Sequence, residues 1–388
     1  MRFPGFTDEW KECTIRDIAK IEKGNGISKD QLSEEGDECI LYGELYTKYK
    51  SEIIGEVYSK TKVDSTKLMR SQANDVLIPC SGETAEDIAT ARCVKMEGIL
   101  LGGDLNIMRF DKQDGAFMSY QLNGKRKYDI ARVAQGVSVV HLYPEHLKSI
   151  KVVLPELEEQ QKIVTLLSLI DQRITTQNKI IEDLKKLKSA IIDQIIDSAN
   201  FPKIRFEELY DKAGEGGTPS TSISEYYTDG TIPFVKIDDL SNKYLFDSKD
   251  HITELGLGKS SAWLIPINSI LYSNGATIGE ISINKTPVCT KQGILGIIPK
   301  KEFDVVYLYY FMSSTYFQKQ VERIVTEGTM RTAYLKDINH IECPMPDYEK
   351  QIGISQILRS FSNKIEIEQR LLTNYIQQKE YLLKSLFI

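Results

Sequence analysis

Histidines and cysteines are the first residues to weigh for metal or acid–base chemistry. The four histidines are His141, His146, His251 and His340, and none stands in an H-E-x-x-H arrangement or at ligand spacing from a cysteine. His141 and His146 flank Glu145 closely, and we interpret them as surface or structural residues. The six cysteines form no C-x-x-C pair. That spacing predicts reduced thiols and neither a disulfide framework nor a zinc site.

Other catalytic signatures are also missing from the sequence. The segment 257–260 is similar to the end of a phosphate-binding loop, but Thr253 stands where the first glycine is required. There is no G-x-S-x-G nucleophile elbow, no G-x-G-x-x-G, and no Asn/Asp-Pro-Pro-aromatic box of the amino-methyltransferases. Glu349, which follows Pro346-Asp347, is better explained as a first-turn carboxylate on a helix dipole than as part of a nuclease motif. We therefore expect a binding protein without an active site or metal of its own.

Length and composition bound the class of protein. The 388 residues are 41% hydrophobic and 27% charged, which predicts two or three packed domains. No apolar run approaches the roughly 18 residues that span a bilayer, and the first residues lack a secretory signal, so we expect a cytoplasmic protein without membrane contact. A formal net charge of −6 argues against uniform coating of nucleic acid but allows a local basic patch.

The elements that would position any site come in two copies. The segment 155–197 repeats as 346–388 at an offset of 191 without a gap. Pro155, Glu158 and Gln160 recur as Pro346, Glu349 and Gln351. Weaker similarity continues upstream, where the register drifts by a few residues. The chain therefore consists of two copies of one plan, each a variable globular part followed by a better-preserved helical part.

The helical parts carry a heptad pattern of apolar residues, which predicts a shared coiled-coil seam. Two polar interruptions recur at equivalent places, Gln177 with Glu368 and Lys188 with Lys379. Two unrelated amphipathic helices, each packed on its own domain, are the alternative; the matched interruptions favour one seam. The predicted seam residues are Ile163, Leu167, Ile170, Ile174, Ile181, Leu184, Ile191, Ile354, Leu358, Phe361, Ile365, Leu372 and Leu382.

These patterns predict an α+β protein with two pseudo-symmetric mixed α/β domains, separated by two long antiparallel coiled-coil helices. The expected bounds are 1–154 and 200–345 for the domains, and 155–199 and 346–388 for the helices. Within the domains, 117–132 and 306–325 read as helices. A helix of about 40 residues is roughly 60 Å long. That length corresponds to roughly seventeen base pairs at about 3.4 Å each.

Several segments resemble the specificity subunit of type I restriction–modification enzymes. They are FPGFTDEW at the start, QGVSVVHLYPEHLKSIKVVLPELEEQ before the first helix, and EGTMRTAYLKDINHIECPMPDYEKQ before the second. The resemblance covers essentially the whole chain. Leu154 to Gln160 match the family's helix start, whereas the second copy keeps only its Pro, Glu and Gln.

The resemblance implies a non-catalytic subunit. Each globular domain would be a target recognition domain that reads one half of a bipartite, non-palindromic site in double-stranded DNA. The helices would set the spacer and dock two modification subunits, which bind S-adenosylmethionine and methylate adenine. Restriction subunits would add ATP-driven translocation and cleavage, so ATP, Mg and S-adenosylmethionine are expected on the partners and no cofactor on this chain.

Cationic, hydroxyl and amide side chains in the domains' loops are the candidates for DNA contact, because such groups bind phosphates and base edges. In the first domain the candidates are Lys23, Asn25, Ser28, Lys29, Lys48, Ser81, Thr84, Lys125, Arg126, Lys127, Gln135 and Ser138. In the second they are Thr218, Ser220, Ser273, Asn274, Thr277, Lys291, Gln292, Thr329, Arg331 and Thr332. Arg331 is the single residue that we expect most strongly at the DNA.

Two other classes of protein stay open at this point. One is a non-catalytic coiled-coil scaffold whose globular domains bind protein and not DNA; domains without a cationic loop surface would favour it. The other is an enzyme with an unfamiliar site, which would need a cleft with convergent carboxylates or histidines.

Overall fold

The computed structural model describes residues 2–3, 5–64, 66–136, 139–198, 201–325 and 331–387, with 197–198 described by their backbone alone. The chain forms two compact units. The first contains Met1–Lys179 and Gln369–Ile388, and the second contains Ile180–Glu368. Each unit therefore holds one globular domain together with a part of each long helix.

Both units contain a five-stranded main sheet with the same strand order. In the first unit the order is Ala19–Lys23, Leu105–Phe110, Asp75–Pro79, Arg92–Val94, Ile53–Ile54. In the second it is Tyr210–Glu215, Ile294–Pro299, Ile270–Ser273, Ile281–Asn284, Tyr244–Leu245. In each sheet the first three pairings are antiparallel and the last is parallel. The weak repeat in the sequence is thus a full repeat of topology.

A smaller sheet accompanies each main sheet. Its strands are Leu100–Leu101, Asp37–Ile40, Ser59–Thr61 and Leu32–Ser33 in the first unit, and Cys289–Thr290, Ile232–Val235 and Asp250–Ile252 in the second. Two-stranded pairings complete the domains: Lys11–Thr14 with Lys151–Leu154, Ser81–Gly82 with Val140–His141, and Lys203–Arg205 with Glu342–Pro344. The first of these brings the start of the first domain beside its end, next to the first long helix.

The main sheets are buried on both faces, because alternate residues of a strand point to opposite sides. Val76 and Ile78 lie in one core with the helix Gly115–Asn123, while Leu77 lies in the other with Ile40. The second unit divides its core residues between the two faces of its main sheet in the same way. Each domain is therefore a layered structure with helices on one face of the main sheet and the smaller sheet on the other.

Shorter helices lie between the strands. Their bounds are Ile15–Ile18, Glu44–Thr47, Ala85–Ile88, Gly115–Asn123, Lys127–Val133, Pro144–Lys148, Glu254–Gly258, Val305–Met312, Thr315–Ile324 and Leu335–Ile338. The prediction of continuous helices over 117–132 and 306–325 is wrong in one respect, because each is broken in two. Gly124 marks the first break, where a Cβ would lie 2.9 Å from the Leu383 carbonyl oxygen. Ser314 marks the second, where its side chain caps the next helix by accepting from Phe317 N.

The long helices span Leu157–Ser198 and Tyr348–Leu386. Within the first unit, Lys379 Nζ lies 2.6 Å from Asp171 Oδ1 and the Arg173 guanidinium lies 5.9 Å from the Tyr375 ring centre. Within the second, Lys188 Nζ lies 2.9 Å from Ser362 Oγ. As the residue number rises on one helix it falls on the other, so the two helices run antiparallel inside each unit.

Every predicted seam residue is at least half-buried. The fully buried members are Ile163, Leu167, Ile170, Ile181, Leu358 and Ile365, and the half-buried members are Ile174, Leu184, Ile191, Ile354, Phe361, Leu372 and Leu382. The ends of the helices also belong to the domain cores. Ile163 and Leu167 share the first core with Leu383, and Leu358 lies in the second. The heptad pattern thus records packing against the domains as well as against the other helix.

Candidate nucleic-acid interface

Loops from three strands meet at one end of the first main sheet. Lys23, the last residue of its strand, pairs with Asn106, and Pro79, at the end of another, pairs with Leu105. Beyond these pairs Gly24 N donates to Leu105 O at 2.9 Å, and Cys80 N donates to Asp104 O at 2.7 Å. We call this region, residues 23–29, 80–84 and 101–104, the first sheet end. It brings together Lys23, Asn25, Ser28, Lys29, Ser81 and Thr84 from the sequence candidates.

Two residues fix the first loop of this region. A Cβ on Gly24 would lie 2.1 Å from the Gly102 carbonyl oxygen, so only glycine allows the two loops to approach. The Asn25 side chain then accepts from Met69 N at 2.8 Å and donates to Lys67 O at 3.2 Å. The Asn25 side-chain amide thus holds the loop in place, and its oxygen and its nitrogen each already have a hydrogen-bond partner within the protein.

The hydroxyl candidates of the first sheet end serve local structure. Ser81 Oγ donates to Asp104 Oδ2 at 3.1 Å, and Ser81 is buried. Thr84 caps the helix Ala85–Ile88 by accepting from Asp87 N, and Ser28 caps the turn Lys29–Gln31. Ser81 is buried and paired in this conformation, so the structure gives its hydroxyl a local role, and its contact with DNA stays a prediction. Thr84 and Ser28 are exposed and stay predictions.

Lysines supply the positive charge of this region. Lys23 and Lys29 are exposed and make no ion pair with any residue that the structure describes. Lys48 is held 2.6 Å from Glu44 Oε1 and 2.8 Å from Ser59 Oγ. Lys29 and Lys48 line a shared cleft of about 580 Å³ with Asp104. Burial raises the pKa of the Cys80 thiol to about 11, with Lys23 opposing and Asp104 reinforcing that shift, so the thiol is neutral.

The remaining candidates of the first domain divide into two groups. Gln135 and His141 exchange backbone hydrogen bonds of 2.9 and 2.7 Å, and Val140–His141 pairs with Ser81–Gly82, so the Gln135 loop reaches the first sheet end. Ser138 lies outside the described residues. The basic run Lys125, Arg126 and Lys127 follows Gly124, which packs on the second long helix. Arg126 there lies 3.5 Å from Asp129, and none of the described contacts connects this run with the sheet end.

The second unit repeats the arrangement. Gly216 N donates to Ile294 O at 3.0 Å, Asn274 N to Gly293 O at 3.0 Å, and Ala333 N to Asn274 O at 2.8 Å. The first unit has three matching bonds: Gly24 N donates to Leu105 O, Cys80 N donates to Asp104 O, and Leu142 N donates to Cys80 O at 2.8 Å. We call residues 215–220, 273–277, 290–293 and 331–333 the second sheet end. It brings together Thr218, Ser220, Ser273, Asn274, Thr277, Lys291, Gln292, Arg331 and Thr332, while Thr329 lies outside the described residues.

Two of these candidates are interior residues. Ser273 is 0% exposed and donates to Thr277 O at 2.5 Å, and Asn274 is 2% exposed and donates to Ala333 O at 3.2 Å. Both side chains donate to the loop backbone in this conformation, so contact of these two residues with DNA stays a prediction. They shape the loop that carries Thr277. The pattern of polar residues after a strand could not separate a loop-forming amide from a base-reading one.

Exposed polar side chains cover the surface of the second sheet end. Thr218, Ser220, Thr277, Lys291, Gln292 and Arg331 are all exposed. Arg331 lines a cleft of about 270 Å³ together with Gln318, Glu280 and Glu322. The second sheet end thus offers arginine, lysine and amide groups, whereas the first offers lysines.

Some residues of these regions escaped the sequence analysis. In the second unit Glu215 accepts a hydrogen bond of 2.7 Å from Gly293 N, and Trp263 Nε1 donates to the Glu215 carbonyl at 3.2 Å. In the first unit the exposed Tyr143 stacks on His141, with 6.1 Å between the ring centres, although the sequence indicated His141 only as a surface or structural residue. The sequence could have indicated Trp263 as a residue of interest, because the chain contains only two tryptophans. The other contacts join residues far apart in sequence and left no local pattern.

Metal-binding clusters and membrane-spanning helices are the remaining kinds of functional feature. Within the described ranges no group of three or more His, Cys, Asp or Glu residues is placed to hold a metal ion. Among the described residues, no helix combines the length and the apolar character needed to cross a membrane.

A known protein family matches both halves of the chain. The family model "Type I restriction modification DNA specificity domain" matches residues 7–186 and again residues 200–377. The chain belongs to this family. The two matches coincide with the two copies of the sequence plan, so the resemblance seen in the sequence is confirmed over both halves.

Individual relatives agree with the family. The MjaVIII specificity subunit of Methanocaldococcus jannaschii is 24% identical over 393 residues, covering 94% of this chain and 88% of the relative. The MjaIX specificity subunit of the same organism is 32% identical over 169 residues, 43% of this chain and 39% of the relative. The HindI specificity subunit of Haemophilus influenzae is 30% identical over 167 residues, 42% of this chain and 35% of the relative.

Solved structures of the family share the fold. The S subunit of a type I restriction–modification system from M. genitalium aligns over 100% of this chain and 99% of its own, with a TM-score of 0.59 and 16% identity. A chain from a structure that describes complex assembly and conformational transition of a type I system covers 97% of both chains, with a TM-score of 0.65 and 14% identity. The predicted fold class, with two repeated α/β domains and two long helices, is thereby confirmed.

Proposed function

We propose that this chain is the DNA-reading specificity subunit of a type I restriction–modification complex, and that each sheet end reads one half of a bipartite site. The observation that carries the proposal is the repetition of one loop arrangement with different side chains. The backbone bonds of Gly24, Cys80 and Leu142 recur at Gly216, Asn274 and Ala333, while the exposed groups around them differ. Two copies of one loop arrangement that expose different side chains suit the recognition of two half-sites with different base sequences.

Chemistry at the sheet ends supports the same assignment. Lysine is a point charge that suits phosphate, whereas an arginine fork and an amide suit guanine and adenine edges. Lys23 and Lys29 supply the first kind of group, and Arg331 and Gln292 supply the second. Because the chain is acidic overall, these local cations are the groups that would face DNA.

The long helices are proposed to dock two modification subunits and to set the spacer between the half-sites. Each carries large apolar side chains in solvent, among them Leu169 and Leu187 on the first and Ile357 and Ile367 on the second. Apolar residues on the outer face of a helix are typical of a surface that a partner covers. The proposal assigns methyl transfer to those partners and no reaction to this chain.

Methylome sequencing tests the proposal directly. Cells that express the partner modification subunits are compared with and without this chain, and a bipartite adenine-methylated motif should occur only with it. Exchanging residues 1–154 for the first domain of another family member should change one half-site and leave the other unchanged. A motif that is independent of this chain, or an exchange that alters both halves, would contradict the proposal and favour a protein-binding scaffold.

A further inference from the structure

A buried ion cluster joins the two long helices to the first domain. Lys379 Nζ lies 2.5 Å from Glu52 Oε2 and 2.6 Å from Asp171 Oδ1. Tyr120 donates its hydroxyl to Asp171 Oδ2 at 2.6 Å. We call these four residues the first centre. One buried ammonium is matched there by two carboxylates.

The corresponding cluster of the second unit consists of Lys188, Lys243, Tyr310 and Ser362, and we call it the second centre. Lys188 Nζ donates to Ser362 Oγ at 2.9 Å, and Ser362 Oγ lies 3.0 Å from the Tyr310 hydroxyl. Lys243 Nζ donates to the same hydroxyl at 2.9 Å. Both ammonium groups also lie against the Tyr310 ring, 4.8 and 4.2 Å from its centre. The two lysines are therefore linked through two hydroxyl groups.

The two centres occupy equivalent positions. Lys379, Glu52 and Asp171 lie at an offset of 191 from Lys188, Lys243 and Ser362, respectively. Glu52 and Lys243 each precede the parallel edge strand of a main sheet, and their carbonyls accept equivalent bonds of 2.8 Å from the neighbouring strand. The second centre thus keeps the lysine of the first but has a second lysine and a serine in place of the two carboxylates.

Electrostatics leave the second centre with excess positive charge. In the described part of the chain no carboxylate lies within ion-pair distance of Lys188 or Lys243. Burial, followed by Arg359, Lys188 and Lys285, lowers the pKa of Lys243 to about 7, and only Asp304 acts in the other direction. Asp304 Oδ1 accepts hydrogen bonds from Tyr307 N and Ser355 Oγ. Burial also lowers the pKa of Lys188.

We propose that the second centre binds one small oxyanion, which takes the place that the carboxylates fill in the first centre. The ammonium groups of Lys188 and Lys243 and the hydroxyl of Ser362 would donate to it. A cleft of about 350 Å³ that is lined by Lys188, Ser362 and Lys185 gives access from solvent. The proposal is independent of DNA reading, because it concerns the packing of the long helices on the second domain.

Glu366 is a carboxylate of the chain itself that competes with an external oxyanion for the second centre. It lines the same cleft, four residues beyond Ser362 on the second long helix. A rotation of its side chain toward Lys188 would neutralise the centre without an external anion. Glu366→Gln removes that carboxylate and keeps the side-chain volume, so this variant separates the two possibilities.

Calorimetric titration of the full-length chain with sodium sulfate tests the proposal, with sodium chloride at equal ionic strength as the background. Sulfate keeps its charge between pH 6 and 9, so a change of affinity reports on the protein. We expect saturable one-site binding at pH 6 that weakens as the pH rises through 7, because Lys243 loses its proton. Lys243→Met and Lys188→Met should each weaken binding about tenfold or more, the loss expected for one charge-assisted hydrogen bond.

A double exchange provides the matched control. Lys243→Glu with Ser362→Asp copies the first centre into the second unit, so it should abolish sulfate binding and raise the melting temperature in chloride. Because this variant replaces the proposed anion by two carboxylates of the chain itself, it stays informative even where a single lysine variant fails to fold. Absence of saturable binding in the native chain at pH 6, or binding that survives the double exchange, overturns the proposal. Binding that appears only in Glu366→Gln also overturns it, because Glu366 would then be the natural occupant.

Discussion

The side-chain carbonyl of Gln160 accepts a hydrogen bond of 3.0 Å from the backbone N–H of Asp114, the residue that caps the helix Gly115–Asn123. The amide nitrogen of Gln160 donates to Pro155 O at 2.9 Å. Gln351 makes the same pair of bonds to Asp304 N and Pro346 O, at 2.8 and 2.9 Å. Each glutamine thus fastens the start of a long helix to the first turn of a domain helix.

Gln160→Ala should therefore lower the free energy of unfolding by about 1–3 kcal/mol, because it removes the partner of the half-buried Asp114 N–H and that of the buried Pro155 carbonyl. Urea unfolding followed by circular dichroism measures the change. Gln161→Ala is the matched control, since Gln161 is exposed and the substitution should alter stability by less than about 0.5 kcal/mol. Equal losses in both variants would mean that the hydrogen bonds of Gln160 contribute nothing specific.

Lys379→Met should be more destabilising, by about 3–5 kcal/mol, because the buried carboxylates of Glu52 and Asp171 would lose the ammonium that forms an ion pair with both. Lys384→Met, at an exposed position on the same helix, is the control. Burial alone would lower the pKa of Lys379, but Glu52 and Asp171 outweigh it and raise the pKa above 10.5.

A pH dependence follows from that raised pKa. The stabilisation by Lys379 is complete below the ordinary lysine pKa and is lost as the pH rises through the higher folded value. The free energies of unfolding of the native chain and of Lys379→Met should therefore converge only once the pH exceeds that raised folded pKa. A constant difference between the two at high pH would contradict the charge assignment.

The sequence predicted the repeat, the long helices and the burial of every seam residue, because periodic apolar residues report packing directly. It could not show that Ile163 and Leu167 lie in a domain core, since a heptad position looks the same against a sheet or a helix. It also missed the charge clusters. The pairing of Lys379 with Glu52 joins residues 327 positions apart, and no local pattern records such a contact.

For the candidate DNA-binding residues, too, the sequence predicted some positions correctly as exposed and could not distinguish others. Cationic residues at the end of a strand or in the loop after it, such as Lys23 and Lys29, are exposed at the sheet end. Ser273 and Asn274, at the end of a strand and just after it, fold inward instead, because the loop backbone needs donors that small polar side chains supply. Residue type alone cannot distinguish these two uses.

Arg331 offers a test of base reading at the second sheet end. If its guanidinium forks onto a guanine, Arg331→Ala should weaken binding by about 1–3 kcal/mol and relax one position of the second half-site. If it contacts only phosphate, binding should weaken evenly across sequences, with a shallower salt dependence. Arg331→Lys keeps the charge but loses the planar fork, so it should restore binding only in the phosphate case.

Binding of the complex to randomised duplexes, followed by methylome sequencing, distinguishes these outcomes. Gln318→Ala, in the same cleft, is a control for a change of local packing. Unchanged affinity and an unchanged motif in Arg331→Ala would remove this residue from the proposed DNA surface.

The last prediction treats the long helices as a ruler. Four residues inserted after Lys179 and four after Glu368, at the boundary of the two units, lengthen both helices by about one turn, or roughly 6 Å. The antiparallel contacts inside each unit keep their partners, because neither Lys379 with Asp171 nor Lys188 with Ser362 is interrupted. The methylated motif should then keep both half-sites and gain about two base pairs of spacer at roughly 3.4 Å each. Insertion in one helix alone should lower the melting temperature, since the helices would no longer match in length. A stable, active double-insertion variant that retains the original spacer would show that something other than these helices sets the distance.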